Sequence, residues 1–348
     1  MAIRIMNASE IAKQYGPQCE SAFAKSLLNQ WNQTVKSAEK HPKVKWRKSP
    51  PNLHVYLVSN EEMNAFAQKS DDGYAIVVFD GLVKVVGNLF LTLLADPRTY
   101  PAIGASTEEK QAPESSTVYY SLIERMIEGD LREPIDPYRA EFALHMAELA
   151  LRFAFSHELY HVLLGHVDLY SDSRPLFEIG PRVGGCPRNH ATEMHADQCA
   201  FRSCIYWILD SIHGIELSDP MTFYMNTIDA QLLDFFAATY TLFQVFDAVD
   251  SQAHPNPVHR QTRLGLTLNY IAQYHELKLD HPVMQIIGTV INNVDLDMEE
   301  VLGVDWSSRR KETDRLLTTD IKTELSRYSD EIYLLYSDLE PHAFIDVQ

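Results

Sequence analysis

Apolar residues near the start of the chain recur at helical spacing, with Ile11, Phe23, Leu27, Leu28, Trp31 and Val35 on one stripe, which predicts one or two helices over residues 8–38. The period changes after Pro50-Pro51. LHVYLV (Leu53–Val58) and YAIVVF (Tyr74–Phe79) are short β-branched and aromatic runs, and Ser70-Asp71-Asp72-Gly73 between them is turn chemistry, so a small sheet with a hairpin is expected. From Gly81 onward the period is mostly helical: one long helix from Arg139 to about Tyr170, then others near 191–213, 227–249 and 258–276. Asp96–Pro113 and Ser171–Asn189 read as surface loops. The tail after His281 holds two or three amphipathic patterns without a readable motif. The fold class that follows is α+β, mainly α, with an N-terminal helical, basic segment (1–50), a core (51–276) and a C-terminal helical segment (277–348).

At 348 residues and 45% hydrophobic side chains, the chain can bury the core of one large domain or two modest ones. Its net charge of −18 is unevenly placed: residues 1–50 hold nine Lys/Arg against three Asp/Glu, and the rest hold 21 against 45. An acidic body argues against nucleic acid as the main ligand. The basic run Lys43, Lys45, Arg47 and Lys48 is either a solvated approach to the first strand or a surface for a partner or a phosphate. The first sixteen residues lack the pattern of a signal peptide. The apolar windows at Tyr74–Leu94 and Phe235–Val245 are interrupted by charge or too short for a bilayer. Four cysteines fit a reducing compartment better than a disulfide framework. A cytoplasmic protein without membrane insertion is expected.

Candidate chemistry centres on SHELYHVLLGH, Ser156–His166. Residues four apart on a helix differ by about 40° in rotation and one turn in height, so His157 and His161 project together and can hold one metal ion. Glu158 stands about 100° round from His157, placed to face a water on that ion and not the ion itself. Neutral imidazoles suit zinc; three protein ligands leave a fourth position for water, whose pKa falls to about 7. A carboxylate beside it can take the water's proton and return it to a leaving amine. The plainer alternative is a core helix that happens to carry three histidines, so a third ligand is required. ATEMHADQCA (Ala191–Ala200) offers one: on a helix, Glu193 and Asp197 share a face. Glu193 completes a His-His-Glu set, and Asp197 can accept a hydrogen bond from a ligand imidazole. His190 and His195 are rivals for the third position.

These motifs resemble those of the gluzincin peptidases of the HtpX, CAAX-processing and Oma-type family, whose pattern is HExxH on one helix and E-x-x-A-D on a later one. The chain has His157-Glu158-Leu159-Tyr160-His161 and Glu193-Met194-His195-Ala196-Asp197, and His166 matches a family histidine five places beyond the second ligand. Asn64-Ala65-Phe66, Gly81-Leu82, His254-Pro255 and Arg260 fall in step with further family motifs, and the likeness spans roughly residues 53–270. The resemblance implies a gluzincin-type fold with a small sheet over the HExxH helix, a zinc cofactor and cleavage of a protein bound as an extended strand. It implies that the hairpin at Asn64, Ala65 and Phe66 pairs with substrate. His254 would donate to the oxyanion or occupy the open metal position, and Arg260 would brace Glu193 or the oxyanion. Read without the resemblance, His254-Pro255 is a helix-start turn.

The Gly81–His157 interval is longer than the family's, and its membrane helices and export signals are absent. Soluble phage-exclusion (Lit-type) peptidases are also similar, which implies a latent, signal-activated intracellular protease (stress or phage defence) with a regulatory protein partner. Cys186, in Gly184-Gly185-Cys186-Pro187, is a candidate removable metal ligand, and narrow access beneath the hairpin and His254 is a second means of restraint. A different class of reading is a catalytically silent, peptidase-like binding protein with a structural metal; the intact Glu158 favours the enzyme.

Overall fold

The computed structural model describes residues 8–20, 22–40, 45–111, 132–169, 176–177, 187–212, 227–249, 255–274, 277, 279, 281–302, 326, 329–330, 333 and 339–345. It is mainly helical with one small sheet. Two compact units form, each discontinuous in sequence: residues 1–83, 154–200 and 327–348 in the first, 84–153 and 201–326 in the second.

The first unit begins with helices α1 (Ala8–Tyr15) and α2 (Ala22–Lys40) and strands β1 (Leu53–Val58), β2 (Ala65–Ser70) and β3 (Gly73–Phe79). Sheet order is β1-β3-β2-β4, where β4 is the two-residue strand Leu176–Phe177. The two apolar runs of the sequence are therefore parallel neighbours, Leu53 opposite Tyr74 and Val58 opposite Phe79, and the turn at Asp71-Asp72 instead closes an antiparallel hairpin of β2 with β3. Strand β2, AFAQKS, has no β-branched residue, so composition alone does not disclose it. β3 is buried along almost its whole length, as a near-continuous apolar run requires when both faces are covered. Ile11, Tyr15, Val58, Phe66, Ala75, Val77 and Phe79 form one core cluster, in which Phe66 meets Phe79 edge-on at 5.9 Å and Tyr15 at 4.9 Å. Trp31 of α2 stacks on Phe155 at 5.0 Å.

Two short paths complete this unit. At the start of helix α3 (Asp80–Leu94), Asp80 accepts from the Asn60 amide at 2.8 Å. A β-carbon on Gly81 would lie 2.3 Å from the Glu61 carbonyl oxygen, so only glycine fits there. The C-terminal segment returns to the basic run: Trp46 bridges Ile345, Arg47 pairs with Glu340 at 3.1 Å, and the Lys48 ammonium lies 4.3 Å over the Phe344 ring. Arg47 and Lys48 thus meet the chain's own residues 340–345.

The second unit holds most of α3, the first part of α4 (Pro137–Leu163), the second part of α6 (Pro187–Ile212), and α7 (Ile228–Val249), α8 (Pro257–Tyr274) and α9 (Val283–Leu302). Phe153 packs edge-on against Phe235 and Phe243, and Phe201 lies against Phe235 and Phe236. The segment expected as a surface loop at Asp96–Pro113 is tied down over its described part. Arg139, fully buried, donates its five N–H groups to the carbonyls of Leu94, Asp96, Thr99, Tyr100 and Ile103 at 2.8–3.0 Å. The Glu109 carboxylate, 3.8 Å from Arg139, accepts from the Ile135 and Asp136 amides. No helix among the described residues is long and apolar enough to cross a membrane.

Candidate metal centre

The last ten residues of α4 and the first half of α6 belong to the first unit, and they carry the HExxH and ExxAD motifs. His157 and His161, one turn apart, have ring centroids 4.6 Å apart. Their Nε2 atoms approach to 2.9 Å, and Glu193 Oε2 lies 3.1 Å from His157 Nε2 and 3.7 Å from His161 Nε2. Among the described residues these three form the one group of His, Cys, Asp and Glu side chains that can hold a metal ion. Ligand atoms about 2.0–2.1 Å from a tetrahedral zinc lie about 3.3 Å from one another, so the observed separations bracket the required value. Two imidazole nitrogens and one carboxylate oxygen are also the donor types zinc takes. All three residues are at most 1% exposed, as is Glu158.

Each imidazole has a partner on its other nitrogen. His157 Nδ1 lies 2.8 Å from Asp197 Oδ1, so its N–H donates to a carboxylate and Nε2 is left for a cation, as a ligand histidine requires. His161 Nδ1 instead meets His166 Nδ1 at 2.9 Å, and His166 Nε2 meets His195 Nδ1 at 3.3 Å. Burial first, and then the neighbouring imidazoles of His161 and His195, push the His166 pKa well below the usual histidine value.

His166 reaches this position because the helix does not continue to Tyr170. On an unbroken helix, five residues would set His166 about 140° round from His161. Instead α4 ends at Leu163 and Gly165 turns the chain with φ +77°, the left-handed stop that glycine makes without strain. A four-residue helix, α5 (His166–Leu169), follows. Asp168 on α5 pairs with Lys69 at 2.7 Å and accepts from the Tyr74 hydroxyl at 2.7 Å, which ties the turn to β2 and β3. Burial, reinforced by that carboxylate, holds the Tyr74 hydroxyl protonated far into the alkaline range. From the other side, the Phe344 amide donates to the Leu163 carbonyl at 2.8 Å, and a β-carbon on Gly165 would fall 2.6 Å from His342.

The structure therefore brings together His157, His161, Glu193, Asp197 and His166, and it buries Glu158 beside them. His195, weighed as a rival third ligand, meets His166. Asn64, just before β2, and Ala65 and Phe66 at its start are buried, and the backbones of Phe66 and Ala67 pair with Phe177 and Leu176 of β4. Arg260 is buried in the second unit with its guanidinium 4.0 Å over the Phe243 ring. His254, Gly184, Gly185 and Cys186 lie outside the described residues. Sequence reasoning missed the roles of Tyr74, Lys69, Asp168 and the segment at His342–Phe344. Gly165 is the one signal that could have disclosed the turn.

Comparison of the chain with protein-family models, with curated proteins and with solved structures gives no match.

Proposed function

We propose that this chain is a zinc-dependent endopeptidase of gluzincin type. The observation that carries the reading is the buried convergence of two imidazoles from one helix with a carboxylate from another; Glu158, next to His157 in sequence and equally buried, is the general base of this reading. A structural site has no use for Glu158. His157, His161 and Glu193 would hold the ion, which when bound supplies Lewis acidity and lowers the pKa of a coordinated water to about 7. Glu158 accepts the proton of the attacking water and returns it to the departing amine nitrogen. Asp197 holds His157 in the tautomer that presents Nε2. On the family likeness alone, His254 would donate to the oxyanion or take the open metal position, and Arg260 would brace Glu193 or the oxyanion.

An extended protein segment is the proposed substrate, paired to the outer edge of β2. At Phe66 and Ala67 that edge is taken by Leu176 and Phe177, so a substrate in this register replaces them. The near-complete burial of the four central residues further requires an opening before a polypeptide can enter, which fits a latent intracellular enzyme released by a signal or a partner. The test pairs the unaltered chain with Glu158→Gln in cells and maps new protein N-termini, after metal analysis of both purified forms. About one zinc per chain in each, with cleavage confined to the unaltered chain, is expected. Equal cleavage by Glu158→Gln overturns the mechanism.

A further inference from the structure

The two ligand histidines are backed by different chemistry. His157 donates to a carboxylate, Asp197, whereas His161 faces two further imidazoles in series: His161 Nδ1 to His166 Nδ1 at 2.9 Å, then His166 Nε2 to His195 Nδ1 at 3.3 Å. All three rings are buried, at 1%, 0% and 4% exposure. We infer that His166 and His195 are positioning residues that fix the tautomer and orientation of the metal ligand His161 through this imidazole relay. The inference rests on the metal site of the proposed function and deepens it.

Proton placement along the relay has one solution. A neutral imidazole has one N–H and one acceptor nitrogen. With His161 Nε2 turned toward His157 Nε2 and Glu193, a cation there takes the Nε2 lone pair, and the His161 proton sits on Nδ1. His166 Nδ1 must then accept, which puts the His166 proton on Nε2. His195 Nδ1 accepts that proton in turn, and His195 carries its own on Nε2. A flip at either outer ring sets two N–H groups, or two lone pairs, against each other at about 3 Å and turns His161 out of register. His195 therefore acts on the ion from two rings away.

The relay also does its work without charge. Glu158, Glu193 and Asp197 are all buried carboxylates, already more negative charge than a divalent cation offsets, and a further carboxylate in place of His166 would add to an excess that low-dielectric surroundings penalise. Two neutral rings orient His161 and add no charge.

The test separates hydrogen bonding from packing. Asparagine at 195 keeps an acceptor where Nδ1 stands, and phenylalanine keeps the ring volume without one. Zinc affinity is measured by chelator competition on the full chain with His195→Asn, His195→Phe and His166→Phe, and thermal unfolding confirms that each is folded. The two phenylalanine variants are expected to lose about 10- to 100-fold in affinity, the range for removal of a ligand's outer partner, and His195→Asn to stay within a few-fold of the unaltered chain. In parallel, ¹⁵N spectra of the zinc-loaded, unaltered chain should show His161 protonated on Nδ1 and His166 and His195 on Nε2, a readout that needs no variant. Unchanged affinity in His195→Phe, or His166 protonated on Nδ1, overturns the relay while the metal site stands. An unaltered chain that takes up no zinc overturns both.

Discussion

Replacing Gly165 by alanine should unsettle the candidate metal centre without touching any of its three proposed ligands. The residue has φ +77°, where an L side chain costs about 1–2 kcal/mol, and its new β-carbon would lie 2.6 Å from His342 and 2.7 Å from the Ala343 amide nitrogen. Backbone atoms cannot rotate away as a side-chain tip does, so relief comes by moving the turn or the segment at 342–343, at about 1–3 kcal/mol for such overpacking. Ordinary contact begins near 3.4 Å, which calls for a shift of about 0.8 Å. If the turn takes up that shift along the line of the two rings, the His161–His166 separation grows from 2.9 Å to at most about 3.7 Å, beyond hydrogen-bonding distance. Urea unfolding should show a loss of about 2–5 kcal/mol with an unchanged slope, and chelator competition a zinc affinity lower by about tenfold. Gly165→Asn relieves most of the dihedral cost but keeps the collision, so it should recover only about 1 kcal/mol. A Gly165→Ala chain within 0.5 kcal/mol of the parent, with unaltered affinity, would refute the reasoning.

Two further outcomes concern the second unit. Arg139→Met leaves five carbonyls without their donor and Glu109 without its counter-ion, so urea unfolding should report a loss of about 3–5 kcal/mol; a loss under 1 kcal/mol would mean that water replaces the guanidinium freely. Burial raises the Asp234 pKa to about 7, and its Oδ2 is buried with no hydrogen-bond partner among the described residues. Because the unfolded chain gives up this proton more readily than the folded one, the carboxyl's contribution is fully present below the unfolded pKa of about 4. It is lost as pH rises toward 7 and stays lost above. Asp234→Asn should flatten the fall in stability between pH 4 and 7 and be the more stable form at pH 8, by up to about 4 kcal/mol. An identical pH profile for the two chains counts against a neutral buried carboxyl.

The convergence at His157, His161 and Glu193 was legible because helical geometry alone decides that residues four apart share a face, and a second helix with a carboxylate was the remaining requirement. Asp197 followed from the same spacing. His195 resisted assignment because whether it faces the ion or His166 depends on how α6 is rotated against α4, and sequence spacing carries no such angle. Helix boundaries at 227–249 and 258–276 came within a few residues of α7 and α8, whereas the long helix was extended past Gly165, a stop signal masked by apolar spacing on both sides. β2 was hidden by its small and polar residues. Arg139 and the basic run carry no sign of their partners: Arg139 sits at 0% exposure holding five carbonyls, and Arg47 and Lys48, exposed as a solvated run would be, also meet the chain's own C-terminal segment. Partners so distant in sequence leave no local pattern.

The contact of Gly165 with His342 has a temporal side. During synthesis the ribosome adds His342 long after the HExxH helix has emerged, so a partly made chain has its histidines but not the residues that press the turn into place. Completion of the His161 surroundings is thereby deferred until residues 342–343 have followed, a built-in delay between making the histidines and fixing their setting.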